Sequence, residues 1–256
     1  MLHGRNSFTL ISAHFGDLFW IGQMAAHVAS MSRPGSIEAI RIVDQDRSTE
    51  IARRLAALPG HPEVLSFPKD DAQIAVLSHD HPAALNRCMQ LDYATSHVIV
   101  LDSDCFPISV DWIDRIDRML ADHDAIVARD SSKHGLSHPC FMVLPVTLLR
   151  KLDFSDGVLG AGFDTGRLIG LQLCRLGCRL GWDTPTQAFR GWRGQYHLNG
   201  ALYHHTKASF VSSNQRSLHS QVNARVERFF RNKVEREDFA LSLAERIYLR
   251  LLKRLG

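Results

Sequence analysis

The sequence predicts an α/β fold with a mostly parallel central sheet, flanking helices and a helical C-terminal tail, on the strength of three observations. Short β-rich runs alternate with runs of helical period along the first half of the chain. Residues 97–101 form a run that is apolar and largely β-branched from Val98 onward, which is typical of a parallel strand buried on both faces. Residues after about 214 are basic and have helical spacing.

The first half of the chain supplies the strands and helices of this alternation. Pro34-Gly35 and Pro59-Gly60 stop its first two helices, and Ser48 caps the second. Alternation of this kind predicts a doubly wound sheet. In chain order we expect strands at 8–11, 39–43, 64–67 and 97–101, with helices at 18–28, 49–58 and 82–93 between them.

The second half of the chain is less regular. We expect helices at 110–120, 146–152 and 165–176, and strands at 125–128, 141–144 and 201–203. Residues 182–200 are rich in Trp, Gly, Arg and Gln, and this composition predicts a loop. The loop is a candidate ligand-binding segment or lid, because aromatic faces and hydrogen-bond donors are available from Trp182, Trp192, Arg193 and Tyr196.

The composition is that of an ordinary globular protein of 256 residues, 45% hydrophobic and 22% charged. A formal net charge of +3 is too small to indicate nucleic-acid binding. Polar residues interrupt the apolar stretch at 8–31, so we expect neither a secretory signal nor a membrane span there. The cysteines lack a CxxC spacing, which favours a reduced, cytoplasmic protein; they are Cys88, Cys105, Cys140, Cys174 and Cys178.

The strongest candidate site is Asp102-Ser103-Asp104, directly after the buried strand. In an open α/β sheet, ligands bind outside the carboxyl ends of the strands, which is where both carboxylates emerge. Two carboxylates one residue apart repel each other, and a hard divalent cation removes that cost. Mg²⁺ or Mn²⁺ fills its remaining positions with water and phosphate oxygens, so the pair predicts a metal–diphosphate site. A solvated turn is the simpler alternative.

Two upstream strands end in polar residues that we expect to lie beside Asp102. Ala13-His14 closes the first strand, and Asp44-Gln45-Asp46 closes the second. Adjacent parallel strands would bring these ends together as a crevice for a base and a ribose. Asp44 would accept a hydrogen bond from a base ring nitrogen or a ribose hydroxyl, with turn formation as the alternative role.

His204-His205 follows an apolar strand and supplies a candidate third metal ligand. A neutral imidazole is a common ligand of divalent cations. Adjacent side chains on a strand point to opposite faces, so at most one of the two faces the metal. We favour His204 for this role.

The order of these motifs resembles the GT-A glycosyltransferases, especially family-2-like bacterial enzymes. Residues 98–107 look like the Asp-x-Asp segment of that family, and residues 202–209 look like its late metal-histidine segment. Residues 162–166 resemble its acceptor-side segment, where this chain has only Asp164 in place of a Glu-Asp pair. The similarity also includes 8–16, 42–44 and 81–86, and it covers about 8–210.

This resemblance implies transfer of a sugar from a UDP- or GDP-linked nucleotide-sugar donor to a hydroxyl of a carbohydrate or lipid-linked acceptor. Mn²⁺ or Mg²⁺ would be the cofactor, held by Asp102, Asp104 and His204. Asp164 would be the general base of an inverting reaction. The residues that bind the donor and its metal would be Ala13, His14, Asp44, Asp46, Asn86, Asp102, Ser103 and Asp104.

The same resemblance implies a GT-A catalytic domain over 1–213, with a nucleotide-sugar half at about 1–107 and an acceptor half at about 108–213. A basic helical extension follows at 214–256. Its apolar face packs on the catalytic domain or on a second subunit, or lies on an anionic membrane as a peripheral contact at the inner face. That face consists of Leu241, Ala244, Tyr248, Leu251 and Leu252.

Three other classes of protein fit parts of the pattern. A haloacid-dehalogenase-like phosphatase also uses Asp-x-Asp after a strand, but usually near the start of its core and with Thr or Val where this chain has Phe106. A nucleotidyltransferase usually carries a Gly-rich, basic N-terminal signature that residues 12–17 lack. A non-catalytic nucleotide-sugar-binding protein would not need the intact pair Asp102 and Asp104.

Overall fold

The computed structural model describes residues 6–68, 80–130, 136–156, 165–189, 193–206 and 218–254. Contacts between residues divide the chain into two compact units. The larger comprises Met1–Thr186 and Tyr196–His204, and the smaller comprises Gln187–Gln195 and His205–Gly256.

The strands and helices alternate along most of the larger unit. The strands are β1 (Phe8–His14), β2 (Ile37–Asp44), β3 (Glu63–Ser66), β4 (His97–Leu101), β5 (Cys105–Pro107), β6 (Ala125–Arg129), β7 (Ser137–Pro145), β8 (Leu180–Asp183), β9 (Thr186–Gln187), β10 (Gln195–His197) and β11 (Leu202–His204). The α-helices are α1 (Leu18–Met31), α2 (Thr49–Ala56), α3 (Asp80–Met89), α4 (Trp112–Leu120), α5 (Ile169–Arg175), α6 (Leu218–Glu235) and α7 (Leu243–Arg254), and short 3-10 helices lie at Val146–Lys151 and Leu198–Gly200.

The central sheet has seven strands in the order β3-β2-β1-β4-β7-β6-β8. Pairing is parallel between β1 and β2, β1 and β4, β2 and β3, and β6 and β8. Among the described strands of this sheet, β7 alone runs antiparallel, to both β4 and β6. The predicted α/β class with a mostly parallel sheet is therefore confirmed, and β7 brings its N-terminal end to the carboxyl end of β4.

Local signals in the sequence explain several element boundaries. Ser48 caps α2, because its hydroxyl accepts the backbone N–H of Ile51. Asp17 caps α1 in the same way, accepting from Phe19. The strand predicted at 97–101 is β4, and its residues from Val98 onward are fully buried, as an apolar run between two neighbouring strands requires.

Residues 182–200 do not form one continuous loop as the composition suggested. Trp182 belongs to β8, which pairs with β6. Its ring packs against α5, where a Cβ on Gly170 would lie 2.7 Å from the ring, and the Arg129 guanidinium lies 5.1 Å from the ring centroid. This aromatic side chain therefore stabilises the sheet–helix packing, a role that composition alone does not distinguish from ligand binding. Trp192 lies outside the described residues.

The smaller unit contains α6 and α7, and a buried carboxylate organises it. Glu227 is 3% exposed, and one of its oxygens lies 3.1 Å from His205 Nε2 and 3.5 Å from an Arg193 nitrogen. The other oxygen accepts from Arg231 Nε at 3.3 Å. Because a buried charge is stable only when it is paired, these three partners bind the segments around them to α6.

The apolar face of the extension differs from the expected one. Leu249 and Leu252 are buried, whereas Leu251, which was expected to share a face with Leu252, is 53% exposed. A second apolar stripe is exposed along α7 at a spacing of four residues, Leu243, Ile247 and Leu251. None of the helices in the described ranges combines the length and apolar character that crossing a bilayer requires.

Candidate metal and nucleotide site

The two carboxylates of the Asp-x-Asp segment lie in a tight turn between β4 and β5. The backbone N–H of Asp102 donates to the Cys140 carbonyl of β7 at 3.1 Å, and the N–H of Cys105 donates to the Asp102 carbonyl at 2.9 Å. These bonds fix both residues at the carboxyl end of the buried strand. Asp104 is only 6% exposed, so its charge needs a partner.

His204 provides that partner from β11, which pairs with β5 in a second, smaller sheet. Antiparallel pairing of β11 with β5 places His204 opposite Cys105, next to Asp104 in the chain. Its Nε2 atom lies 3.4 Å from Asp104 Oδ1 and 3.7 Å from Asp102 Oδ2. Burial alone would lower the pKa of His204, but the charges of Asp104 and Asp102 outweigh it and raise that pKa above its usual value.

The donor set fits a divalent cation. One ligand atom from each of Asp102, Asp104 and His204 lies within 4.8 Å of the others. Two carboxylates and an imidazole suit Mn²⁺, and Mg²⁺ to a lesser degree, because an imidazole favours the transition metal. His205 is not in this set: its Nε2 atom contacts Glu227 at 3.1 Å, as the opposite orientation of neighbouring strand residues requires.

A second polar pair lies where β1 and β2 end side by side. The strand register pairs His14 with Asp44, and His14 Nδ1 lies 3.1 Å from Asp44 Oδ1. Both side chains are 1% exposed. The Nε2 atom of His14 is buried and has no hydrogen-bond partner among the described residues, so this ring has an unused polar atom at the strand ends.

The other predicted donor-binding residues occupy different settings. Ala13 is buried beside His14, and Ser103 is half-buried in the turn between the two carboxylates. Asp46 accepts the Ser48 N–H at 3.0 Å near the start of α2. The amide of Asn86 donates to Asp153 at 2.7 Å and accepts the Phe154 N–H at 2.8 Å, which links α3 to the segment after β7. Donor binding by these residues stays a prediction.

The structure adds residues that sequence reasoning missed. His81 Nε2 lies 4.0 Å from Asp102 Oδ1. His138 and Cys140 form a second possible ligand group with His204. Burial, with the neighbouring His204 and His197, lowers the pKa of His138 to about 3, so this ring is neutral. The sequence predicted a strand only at 141–144, whereas β7 begins at Ser137. A predicted strand that began at 137 would have placed His138 beside the metal site.

Asp164, the predicted base, lies outside the described residues, but the chain just after it is firmly held. The Ser137 hydroxyl donates to the Gly166 carbonyl at 2.8 Å and accepts the Gly170 N–H at 3.1 Å. Gly166 has a φ of +66°, and a Cβ there would lie 2.9 Å from Phe154. Arg167 pairs with Asp130 at 2.5 Å. Residues 166–170 are therefore attached to the N-terminal end of β7 and, through Asp130, to the end of β6.

Comparison with known proteins gives structural similarity only. No protein-family model and no curated protein matches the sequence. The mannosyltransferase PcManGT from Pyrobaculum calidifontis, solved with GDP-Man and Mn²⁺, has a TM-score of 0.51 at 13% identity, over 70% of this chain and 55% of that chain. GalNAc-T7, solved with UDP, GalNAc and Mn²⁺, has a TM-score of 0.53 at 7% identity, over 70% of this chain and 43% of that chain.

A third structure, 4-diphosphocytidyl-2C-methyl-D-erythritol synthase from Anaerococcus prevotii, has a TM-score of 0.46 at 10% identity, over 70% of this chain and 87% of that chain. That score is too low to carry a conclusion. The chain spans 55% and 43% of the two glycosyltransferase structures. The likeness to them establishes the fold: this chain has the GT-A fold.

Proposed function

We propose that the protein is a metal-dependent glycosyltransferase, which moves a sugar from a nucleotide-sugar donor to an acceptor hydroxyl. The observation that carries this proposal is the grouping of Asp102, Asp104 and His204 within 4.8 Å at the carboxyl end of β4. The ends of parallel strands in an open α/β sheet are where such folds bind ligands. A cation there would lie where the diphosphate of a sugar nucleotide could complete its coordination.

Two groups of residues would bind different parts of the sugar-nucleotide donor. Asp102, Asp104 and His204 would hold Mn²⁺ or Mg²⁺, which supplies charge neutralisation for the departing nucleoside diphosphate. The buried His14–Asp44 pair would bind the base or ribose of a UDP- or GDP-linked donor, because its polar atoms are already desolvated and oriented. Ala13, Asp46, Asn86 and Ser103 are assigned to the same pocket.

Asp164 is the proposed general base. Its carboxylate would take the proton of the acceptor hydroxyl as that oxygen forms a bond to the sugar C1 atom and the bond from C1 to the diphosphate oxygen breaks. Attack from the face opposite the leaving group inverts the configuration. In support, Ser137 at the start of β7 holds Gly166 and Gly170, a few residues after Asp164, by hydrogen bonds.

We also propose that the protein is cytoplasmic and that its C-terminal extension contacts the inner face of an anionic membrane. Leu243, Ile247 and Leu251 form an exposed apolar stripe on α7, at 69%, 50% and 53% exposure. Basic Arg246 and Arg250 lie on the same helix. Apolar residues combined with positive charge suit the interface of an anionic bilayer, where lipid-linked acceptors are found.

The test is product analysis with a panel of UDP- and GDP-linked sugars, in the presence of Mn²⁺ or Mg²⁺ and candidate acceptors. We expect release of nucleoside diphosphate together with a glycosylated product. Asp104→Asn should abolish release, whereas the exposed control Asp92→Asn should not. Release of pyrophosphate from a nucleoside triphosphate would indicate a nucleotidyltransferase, and hydrolysis of phosphate monoesters would indicate a phosphatase. Donor binding without turnover on any acceptor would indicate a binding protein.

A further inference from the structure

His204 also belongs to a second group of potential metal ligands, which contains no carboxylate. The ligand atoms of His138, Cys140 and His204 all lie within 4.8 Å of one another. His138 and Cys140 are two residues apart on β7, so their side chains lie on the same face of that strand. Cys140 is fully buried, His204 is 3% exposed and His138 is half-buried, so most of this group lies beneath the surface.

The sulfur of Cys140 has a proton acceptor already in place. Asp183 Oδ2 lies 2.5 Å from Nδ1 of His197, so that nitrogen carries the proton and donates it to the carboxylate. The Nε2 atom of His197 then carries the lone pair, and it lies 3.4 Å from Cys140 Sγ. Coordination of the sulfur to a cation displaces the thiol proton, which passes to His197, where the Asp183 carboxylate balances the imidazolium charge.

The unprotonated ring nitrogen of His138 also faces the other ligands of this group. The backbone N–H of Cys140 donates to Nδ1 of His138 at 3.2 Å, so the unprotonated nitrogen of that ring faces Cys140. A cation bound between the two side chains would replace this hydrogen bond. The group therefore offers two imidazole nitrogens and one sulfur, a donor set that differs in kind from the two carboxylates of the neighbouring site.

We propose that His138, Cys140 and His204 form a second cation site, selective for a thiophilic ion such as Zn²⁺. Zinc binds thiolate and imidazole with three or four ligands, whereas Mg²⁺ and Mn²⁺ prefer oxygen. Three protein ligands and one water molecule would complete the four-coordinate geometry that zinc adopts.

The two sites exclude each other because they share one imidazole. A neutral imidazole has a single unprotonated nitrogen, so His204 ligates one cation at a time unless it loses its second ring proton. Zinc bound with His138 and Cys140 therefore removes His204 from Asp102 and Asp104. The consequence for sugar transfer, inhibition by zinc that excess Mn²⁺ relieves, rests on the proposed function; the existence of the second site does not.

Cobalt absorption tests the site without any substrate. Co²⁺ replaces Zn²⁺ in thiolate sites and gives an intense sulfur-to-metal charge-transfer band in the near ultraviolet. We expect this band on titration of the wild-type protein with Co²⁺ and its loss in Cys140→Ser. The control Cys174→Ser changes an exposed cysteine outside the ligand group and should keep the band. His138→Gln should weaken Co²⁺ binding by at least about tenfold. A wild-type spectrum without the band, or a band that survives in Cys140→Ser, would overturn the proposal.

Manganese resonance tests the exclusion. Bound Mn²⁺ loses the sharp paramagnetic resonance signal of the free ion, so its release by Zn²⁺ is measured directly. Wild-type protein should release Mn²⁺ at a Zn²⁺ concentration at least about tenfold lower than Cys140→Ser requires. Equal concentrations would refute the exclusion. If Mn²⁺ never binds while the cobalt–thiolate band is present, the proposed glycosyltransferase site fails and the thiophilic site stands.

Discussion

His14 Nδ1 lies 3.1 Å from Asp44 Oδ1, with both side chains 1% exposed, at the point where β1 and β2 end side by side. The carboxylate also accepts the Asp46 N–H at 3.1 Å, so it is oriented from two directions. The pair joins the end of β1, which lies beside β4, to the end of β2 on the other side of β1. A ligand that enters this crevice meets polar groups whose desolvation has already been compensated within the protein.

Removal of this carboxylate should weaken donor binding more than it slows transfer. We expect Asp44→Ala to raise the KM for the nucleotide sugar by about tenfold with a smaller loss in kcat, because contacts common to ground and transition states act on KM. Calorimetric titration with UDP and GDP should show a matching loss of affinity. Asp92→Asn, a change of an exposed carboxylate, is the control. If the folded Asp44→Ala protein binds nucleotide with unchanged affinity, Asp44 does not contact the donor and only stabilises the turn after β2.

Activity should depend on a divalent cation held by the Asp102–Asp104–His204 group. We expect EDTA to abolish transfer and Mn²⁺ to restore it. Asp104→Asn keeps the shape of the side chain but removes a charged ligand, and it should weaken Mn²⁺ binding by at least about tenfold. The measurement is titration with Mn²⁺ followed by paramagnetic resonance, with circular dichroism to verify folding. Full turnover in excess EDTA would contradict this assignment.

Replacement of Asp164 separates its proposed chemistry from simple capping of a helix. Asn keeps the size and much of the capping ability of Asp, so we expect Asp164→Asn to melt near the wild-type temperature and to bind nucleotide normally. Loss of a general base should lower the transfer rate by about 10² to 10⁴. The nearby change Asp156→Asn is the matched control. A rate reduced by less than about tenfold places the base elsewhere.

A negative charge on the exposed stripe of α7 should prevent membrane association. We expect the wild-type protein to co-sediment with vesicles that contain phosphatidylserine and not with pure phosphatidylcholine, because the helix combines apolar and basic residues. Ile247→Glu should abolish this sedimentation. Ala56→Glu places the same charge on the exposed face of α2 and should have no effect. If Ile247→Glu and Ala56→Glu sediment with the vesicles to the same extent, the stripe does not bind the membrane, and contact with a second subunit becomes the favoured role.

The smaller unit should lose stability in acid through Glu227. Burial would raise the pKa of this carboxyl, but the hydrogen bond from His205 and the charges of His205, Arg193 and Arg231 hold it below its ordinary value of 4.5. A lowered folded-state pKa gives stability that is fully present above the unfolded value and is lost as the pH falls through the folded value.

Substitution of Glu227 isolates that contribution. At neutral pH, Glu227→Gln leaves its cationic partners without their counter-charge and should cost about 3 kcal/mol. The difference in unfolding free energy between the wild type and this variant, measured by denaturant titration, should narrow below pH 4.5, where the wild-type carboxyl takes up a proton. The exposed pair Arg53–Glu50 supplies the control: Glu50→Gln should leave the free energy of unfolding nearly unchanged, because solvent screens exposed ion pairs. A difference independent of pH would contradict the assigned cause.

Local sequence patterns located the central strand and the carboxylate pair. The run at 98–101 is apolar on both faces, and such a run is stable only between neighbouring strands. The strand β4 and the position of Asp102-Ser103-Asp104 at its end were therefore predictable. The capping residue Ser48 acts over a single helical turn and was equally readable. The alternation of strand side chains predicted that at most one of His204 and His205 faces the carboxylates, and His204 contacts Asp104 whereas His205 contacts Glu227.

Only the tertiary structure decided which distant side chains complete the site. His138 and Cys140 reach it because β7 runs antiparallel to β4, and Asp183 reaches His197 across a separation of 14 residues. Trp182 is packed against a helix, whereas Leu251 is exposed. Both outcomes depend on neighbours that are far away in sequence. Periodicity in a sequence reports the environment of one segment, whereas the partners of that segment are set by the pairing of strands and the packing of helices across the whole fold.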